Sequence, residues 1–161
     1  MMKALVVDGY NAIHKIPHLR TLMDKSLLEA RDRVTRLSLE YQRRVGGIDK
    51  IRVVFDGKDI YRDKEPLASD AQVFSKTGEG DDEILRQVRI LSEKYHVLVV
   101  TDDNFVRNNS RAHKASVISV SRFIEQLDKK EKKRAREMPA GKVSPESALK
   151  INEELKRHWG L

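Results

Sequence analysis

Three apolar runs of the chain stop at acid: Leu5-Val6-Val7 at Asp8, Val53-Val54-Phe55 at Asp56, and Val99-Val100 at Thr101-Asp102-Asp103. A fourth acidic group, Asp81-Asp82-Glu83, opens an amphipathic segment. One aspartate at a strand end is ambiguous, because Asp-Gly is common turn chemistry and Asp is a favoured helix cap. Acid at the same end of three apolar strands is harder to ascribe to turns. In an open parallel sheet the carboxyl ends of the strands form the rim where ligands bind, so Asp8, Asp56 and Asp102 or Asp103 converge there, and Asp81 or Asp82 can join them. Carboxylates gathered this closely raise one another's pKa unless a cation neutralises them. The economical partner is one or two ions of Mg²⁺ or Mn²⁺, which prefer carboxylate and water oxygens and stabilise charge on a phosphoryl group. The expected chemistry is phosphodiester hydrolysis. Asn11 can orient a water, bond the Asp8 carboxylate or cap a following short helix. Thr101 can bond a carboxylate or simply finish its strand. Tyr10 has no evident role.

The elements that must position these residues follow from the apolar pattern. Lys3 to Asp8, Lys50 to Gly57, the stretch from His96 to the Thr101 acids, and Ser116 to Val120 are predicted strands, with Ala71 to Lys76 a short strand at the sheet edge. Pro17 marks a turn region. A long helix is predicted from near Asp24 to Val45, where Leu27, Ala30, Val34, Leu37, Tyr41 and Val45 recur at helical spacing until Gly46 and Gly47 stop it. A second helix carries the stripe Ile84, Leu85, Val88, Leu91 and Tyr95, and a third, capped by Ser121, runs over Arg122 to Arg136. A short terminal helix is expected from Pro145 to Trp159, with Trp159 packing it onto the domain. Strands alternating with helices imply an α/β fold with a mostly parallel central sheet. The expected organisation is one domain over 1–128 and a basic helical extension over 129–161.

With 161 residues, 39% apolar and 35% charged, the chain has the composition of a soluble globular domain. It contains no cysteine, so disulfides and thiolate metal sites are excluded. No apolar run reaches the ~20 residues of a membrane helix, and no leader-like segment opens the chain, so a cytoplasmic location without membrane partners is expected. The net charge of +7 favours a polyanion. Of that charge, +5 falls in residues 129–161. The run Lys129, Lys130, Lys132, Lys133, Arg134 and Arg136 is therefore a candidate RNA or ribosome contact, with a solvated helix face as the bland alternative. Arg107, Arg111 and Lys114, just past the third acidic strand end, are candidates for phosphate contacts on equal terms with a solvated loop. Aromatic residues are sparse, at 6%, so binding is expected to be electrostatic rather than by base stacking. The five histidines lack zinc-hydrolase spacing, and the Gly-x-x-x-x-Gly-Lys of a P-loop is missing. A phosphatase-type Asp-x-Asp is also missing from the opening strand, which reads Asp8-Gly9-Tyr10.

In this order and spacing, Val-Asp-Gly-Tyr-Asn, Val-Val-Phe-Asp-Gly, Gly-Glu-Gly-Asp-Asp-Glu-Ile and Val-Val-Thr-Asp-Asp resemble the NYN branch of the PIN-like nucleases. The match is to the YacP-like group of ribosome-associated endoribonucleases that cut messenger RNA. It extends through the helix from Glu29 to Gln42 and the tail from Pro139 to Gly160. The resemblance implies a PIN-like three-layer fold with strand order 3-2-1-4-5, an acidic metal site at the C-terminal ends of the strands, and an RNA substrate. Carried over by motif, the site is Asp8, Asn11, Asp56, Asp82 and Asp103, with Thr101 beside it. The group usually has Thr-Ser-Asp at Thr101-Asp102-Asp103, which makes Asp102 an addition. It usually has Thr-Ala-Asp at Gly80-Asp81-Asp82, which favours Asp82. Helical spacing favours Asp81 instead, since that residue lies nearer the apolar stripe; Asp81 is held as the reserve. The segment from Asn108 to Leu127 departs from the group. A non-catalytic RNA- or ribosome-binding protein with a PIN-like shell is the rival reading.

Overall fold

Ala4, Leu5, Val6 and Val7 are wholly buried, Leu5 and Val7 in one apolar cluster and Ala4 and Val6 in another. A strand without polar alternation is satisfied only between two covering layers, and this strand lies there. The computed structural model describes residues 2–56, 71–75 and 80–137. Within them the order is β1 (Lys3–Asp8), α1 (Gly9–Lys15), α2 (Pro17–Lys25), α3 (Leu27–Val45), β2 (Lys50–Phe55), β3 (Gln72–Phe74), α4 (Gly80–Leu91), β4 (His96–Val100), α5 (Asn104–Ala112), β5 (Ser116–Ile118) and α6 (Val120–Glu137).

The five strands form one sheet in the order β3-β2-β1-β4-β5, and every pairing is parallel. The chain therefore winds outward from β1 through β2 to β3, then returns to the other side of β1 for β4 and β5. That reversal makes the crevice at the carboxyl ends of β1 and β4 the switch point of the sheet. Leu5, Val7, Val53 and Phe55 pack with Ile13, Leu19, Val34, Leu37, Phe123 and Leu127 from α1, α2, α3 and α6. Val6, Val54, Val97 and Val99 pack with Ile84, Val88 and Leu91 of α4 and Val106 of α5. At about 1.5–3 kcal/mol for each fully buried Val, Leu or Phe, both layers pin the strand that carries Asp8.

Three local readings are corrected. The region around Pro17 is two helices rather than a turn, with Pro17 at the first position of α2, where its missing N–H costs nothing. The long helix begins at Leu27, not near Asp24: Ser26 is extended, and its Oγ accepts the Glu29 N–H at 3.2 Å. Ser26 and Glu29 have the spacing of a capping box. The last helix begins at Val120, and Ser119, not Ser121, bonds its first turn through Oγ and the Arg122 N–H. Gly46 and Gly47, with φ of 76° and 73°, end α3 in a backbone region that side-chain-bearing residues avoid. Helix α6 runs across the boundary placed between residues 128 and 129. The expected terminal helix lies outside the described residues, as does Gly57. Among the described residues no helix is long and apolar enough to cross a membrane.

Candidate acidic site

The chain leaves β1 at Asp8 and turns at once into α1, and Gly9 makes that turn possible. A Cβ on Gly9 would stand 2.3 Å from Cε1 of Phe55 and 2.8 Å from the Val54 carbonyl oxygen, closer than any side chain can approach. With no Cβ there, α1 starts directly over the end of β2. Asp8 and Asp56 come to share one cleft, whose walls are Asp8, Tyr10, Val54, Asp56, Gly80, Asp81 and Ile84.

Across the switch point, the buried Thr101 ties the ends of β1 and β4 together. Its Oγ1 donates to Oδ2 of Asp8 at 3.0 Å and accepts the Asp103 N–H at 3.1 Å. One hydroxyl thus fixes the orientation of Asp8 and the start of the turn that carries Asp103. Asp103 caps α5, its Oδ1 accepting the Val106 N–H at 2.9 Å.

Burial is the main cause of an unusual Asp8, pushing its pKa from 3.8 up to about 6. The Thr101 hydroxyl opposes that rise, repulsion from Asp81 adds to it, the Asn11 N–H opposes it without closing a capping bond, and repulsion from Asp103 adds again. Asp81 is also raised, by partial burial first and then by Asp103 and Asp82. Asp8, Asp81 and Asp103 therefore feel one another, and Asp56 lines the same cleft. Asp81 and Asp82 are both exposed, and of the two only Asp81 lines the cleft wall. The reason is helical: Asp81 precedes Ile84 and Val88 by three and seven residues, and these two with Leu91 are the buried stripe of α4.

Asn11 and Asp102 are bonded to each other across the switch point. The Asp102 N–H donates to Oδ1 of Asn11 at 2.8 Å, and Oδ1 of Asp102 accepts the Val120 N–H at 3.0 Å. Together they clasp the end of β4 to α1 and to the start of α6. Asn11 lies inside α1 and does not cap it. Arg107 is partly tied to the same turn, with Nη2 donating to the Asp102 carbonyl oxygen at 3.2 Å. Arg111, Lys114 and Lys129 are exposed. Lys130, Lys132, Lys133, Arg134 and Arg136 fall on the last turns of α6, with side chains outside the described residues. Tyr10 was unreadable from sequence. It forms part of the cleft wall, its ring edge-on to Phe55 with centroids 5.3 Å apart. Neither helical nor strand periodicity could place it, because it sits one residue past a tight turn.

Among the described residues, no three or more acidic or imidazole side chains stand close enough to share one ion as they are placed. The donor chemistry nonetheless fits a hard cation. Mg²⁺ is held through one or two carboxylates and keeps several waters, and the cleft offers oxygen donors that repel one another.

The family described as the YacP-like NYN domain matches residues 5–160. An uncharacterized protein YacP from Bacillus subtilis strain 168 is 29% identical over 171 residues, covering 97% of this chain and 98% of that protein. The crystal structure of the W164L mutant of Rae1 (YacP) from Bacillus subtilis superimposes with a TM-score of 0.68 at 25% identity. It covers 98% of this chain and 92% of the other. A second crystal structure of Rae1 (YacP) gives a TM-score of 0.64 at 24% identity, over 99% and 93% of the two chains.

Proposed function

Because the chain belongs to the YacP-like NYN family, a family of nuclease type with RNA-related function, we propose that it is a metal-dependent endoribonuclease. The observation that carries this reading is the switch-point cleft, which Asp8, Asp56 and Asp81 line, with Asp103 near enough to repel Asp8 and Asp81 and Asp8 held at a pKa of about 6. A structural acid is normally neutralised by donors. This one is buried and set against two other carboxylates, a cost that a bound cation offsets.

In this reading Asp8, Asp56, Asp81 and Asp103 hold Mg²⁺ or Mn²⁺, directly or through water. The ion would supply neutralising charge at the phosphoryl oxygens and a more acidic water. The rest is the work of the chain. Thr101 holds the Asp8 carboxylate at one angle through Oδ2. The Asn11–Asp102 clasp sets the turn from which Asp103 projects, so Asn11 acts in this reading as a positioning residue. Hydrolysis at this site would leave a 5′-phosphate and a 3′-hydroxyl. Messenger RNA engaged with the ribosome is the substrate proposed, supported by the likeness to the YacP-like group and by the net charge of +7.

The test is cleavage of single-stranded RNA by the full chain with Mn²⁺, with and without chelator, comparing the wild type with Asp8→Asn. Cleavage should need the ion and fall at least about a hundredfold in the variant, the upper range for disturbing even the partners of a metal ligand. Equal activity in the two proteins, or full activity in chelator, would sink the reading.

A further inference from the structure

We propose that Phe105 is a base-stacking platform that holds single-stranded RNA against the acidic cleft; this rests on the endoribonuclease reading and adds to it how the substrate is gripped. Phe105 is 54% exposed although it is a large aromatic, while the ring of Phe123 is wholly buried and Phe55 is 1% exposed. It lies in the first turn of α5, two residues past Asp103, whose carboxylate caps that helix. The ring is therefore within one helical turn of a site acid. Among the described residues Phe105 belongs to neither apolar cluster. The neighbouring Val106 alone serves the core from that turn.

The surroundings point to a polyanion with unstacked bases. From Asn104 to Ser119 the chain holds Arg107, Arg111 and Lys114 and no acid at all. Asn108, Arg111 and Lys114 are exposed on the same helix and its exit turn, and Lys114 adopts a φ of 66° as the chain leaves α5. An exposed aromatic ring at one end of a helix whose other end and exit turn carry Arg111 and Lys114, with site carboxylates just before it, suits a single strand running along that helix. Bases stack on the ring, and phosphates follow the positive side chains. Duplex RNA keeps its bases stacked inside and cannot use such a ring. The sparse aromatic content of the chain is thus no measure of stacking, because one exposed ring at the rim suffices.

The experiment measures binding of a 2-aminopurine-labelled single-stranded oligoribonucleotide, and of its duplex, to the full chain in chelator so that no cleavage intervenes; Mn²⁺-dependent cleavage is measured in parallel. Phe105→Ala should weaken single-strand binding on the order of tenfold and abolish the quenching of 2-aminopurine, whereas Phe105→Trp should retain both. Duplex binding should be unchanged. Ile90→Ala, which truncates another exposed apolar side chain on α4, should match the wild type in every assay. Arg111→Ala should instead lower the salt dependence of single-strand binding by about 0.7 in log–log slope. If Phe105→Ala binds single strands and quenches as the wild type does while the wild type cleaves RNA, stacking is overturned and the endoribonuclease reading stands. If the wild type neither binds nor cleaves RNA, both are overturned.

Discussion

Two aspartates lie on either side of Thr101 in space and sequence, and the fold treats them in opposite ways. Asp102 is built into a clasp: its N–H is taken by Asn11, and its carboxylate accepts an N–H at the start of α6. Asp8 is buried, accepts from the Thr101 hydroxyl, is favoured as a carboxylate by the Asn11 N–H, and is repelled by Asp81 and Asp103. What separates the two is burial among like charges: the Asp102 carboxylate bridges to another element, whereas Asp8 ionises against burial and two neighbouring carboxylates. The stability forgone at Asp8 is the free energy that a cation can recover on binding.

The sharpest test of that contrast is the pH dependence of stability. A carboxyl whose folded pKa lies above its unfolded value binds its proton more tightly in the fold, so ionising it destabilises the protein as pH rises from about 4 to about 6. For Asp8 the penalty is about 3 kcal/mol at most, and it is fully present at pH 7. Without divalent cation, Asp8→Asn should therefore unfold at higher urea concentration than the wild type at pH 7, and the advantage should vanish below pH 4. A variant less stable than the wild type at pH 7 would show Asp8 to be structural after all.

Gly9→Ala strikes both regions together, because Gly9 sets the path from Asp8 to Asn11. The 2.3 Å approach to Phe55 predicts a loss of about 1–3 kcal/mol in urea unfolding, with cleavage lowered alongside it. Wild-type stability would mean that α1 can lift from β2 without strain.

Between the paired acids of α4, Asp81→Asn should lower cleavage about tenfold and Asp82→Asn less than about twofold, by the measure for groups that tune a metal site. The reverse ranking would return the site to Asp82. The smallest effect is expected at the clasp: Asp102→Ala should cost about 1 kcal/mol of stability, and Asp102→Asn, which can still accept the Val120 N–H, only a few tenths. If Asp102→Asn instead abolished cleavage at unchanged stability, the division between clasp and site would fail.

Much of this was open to reading in the linear chain, and the exceptions have physical causes. Apolar runs that stop at acid marked β1, β2 and β4, because the part of a strand covered on both faces is apolar and gives way to polar residues at the rim. The helical stripe of α3 was equally plain. Its start was not, although Ser26 and Glu29 have capping-box spacing, because the apolar pattern continues upstream into α2. Pro17 looked like a turn because proline signals both a break and a helix beginning. Between Asp81 and Asp82, helical spacing proved a better guide to the cleft wall than motif alignment.

The sequence by itself determined the alternation of strands and helices, the parallel sheet and the end of it at which the acids collect, since burial and periodicity act along the chain. Only the tertiary structure decided which acids face one another and which bond to distant backbone. That choice depends on Thr101 reaching Asp8 across the switch point, on Asn11 reaching Asp102 from another element, and on the turn of α4 that aims Asp81 at the cleft. These are contacts between residues as far as 93 positions apart, and neighbouring residue types carry no record of them.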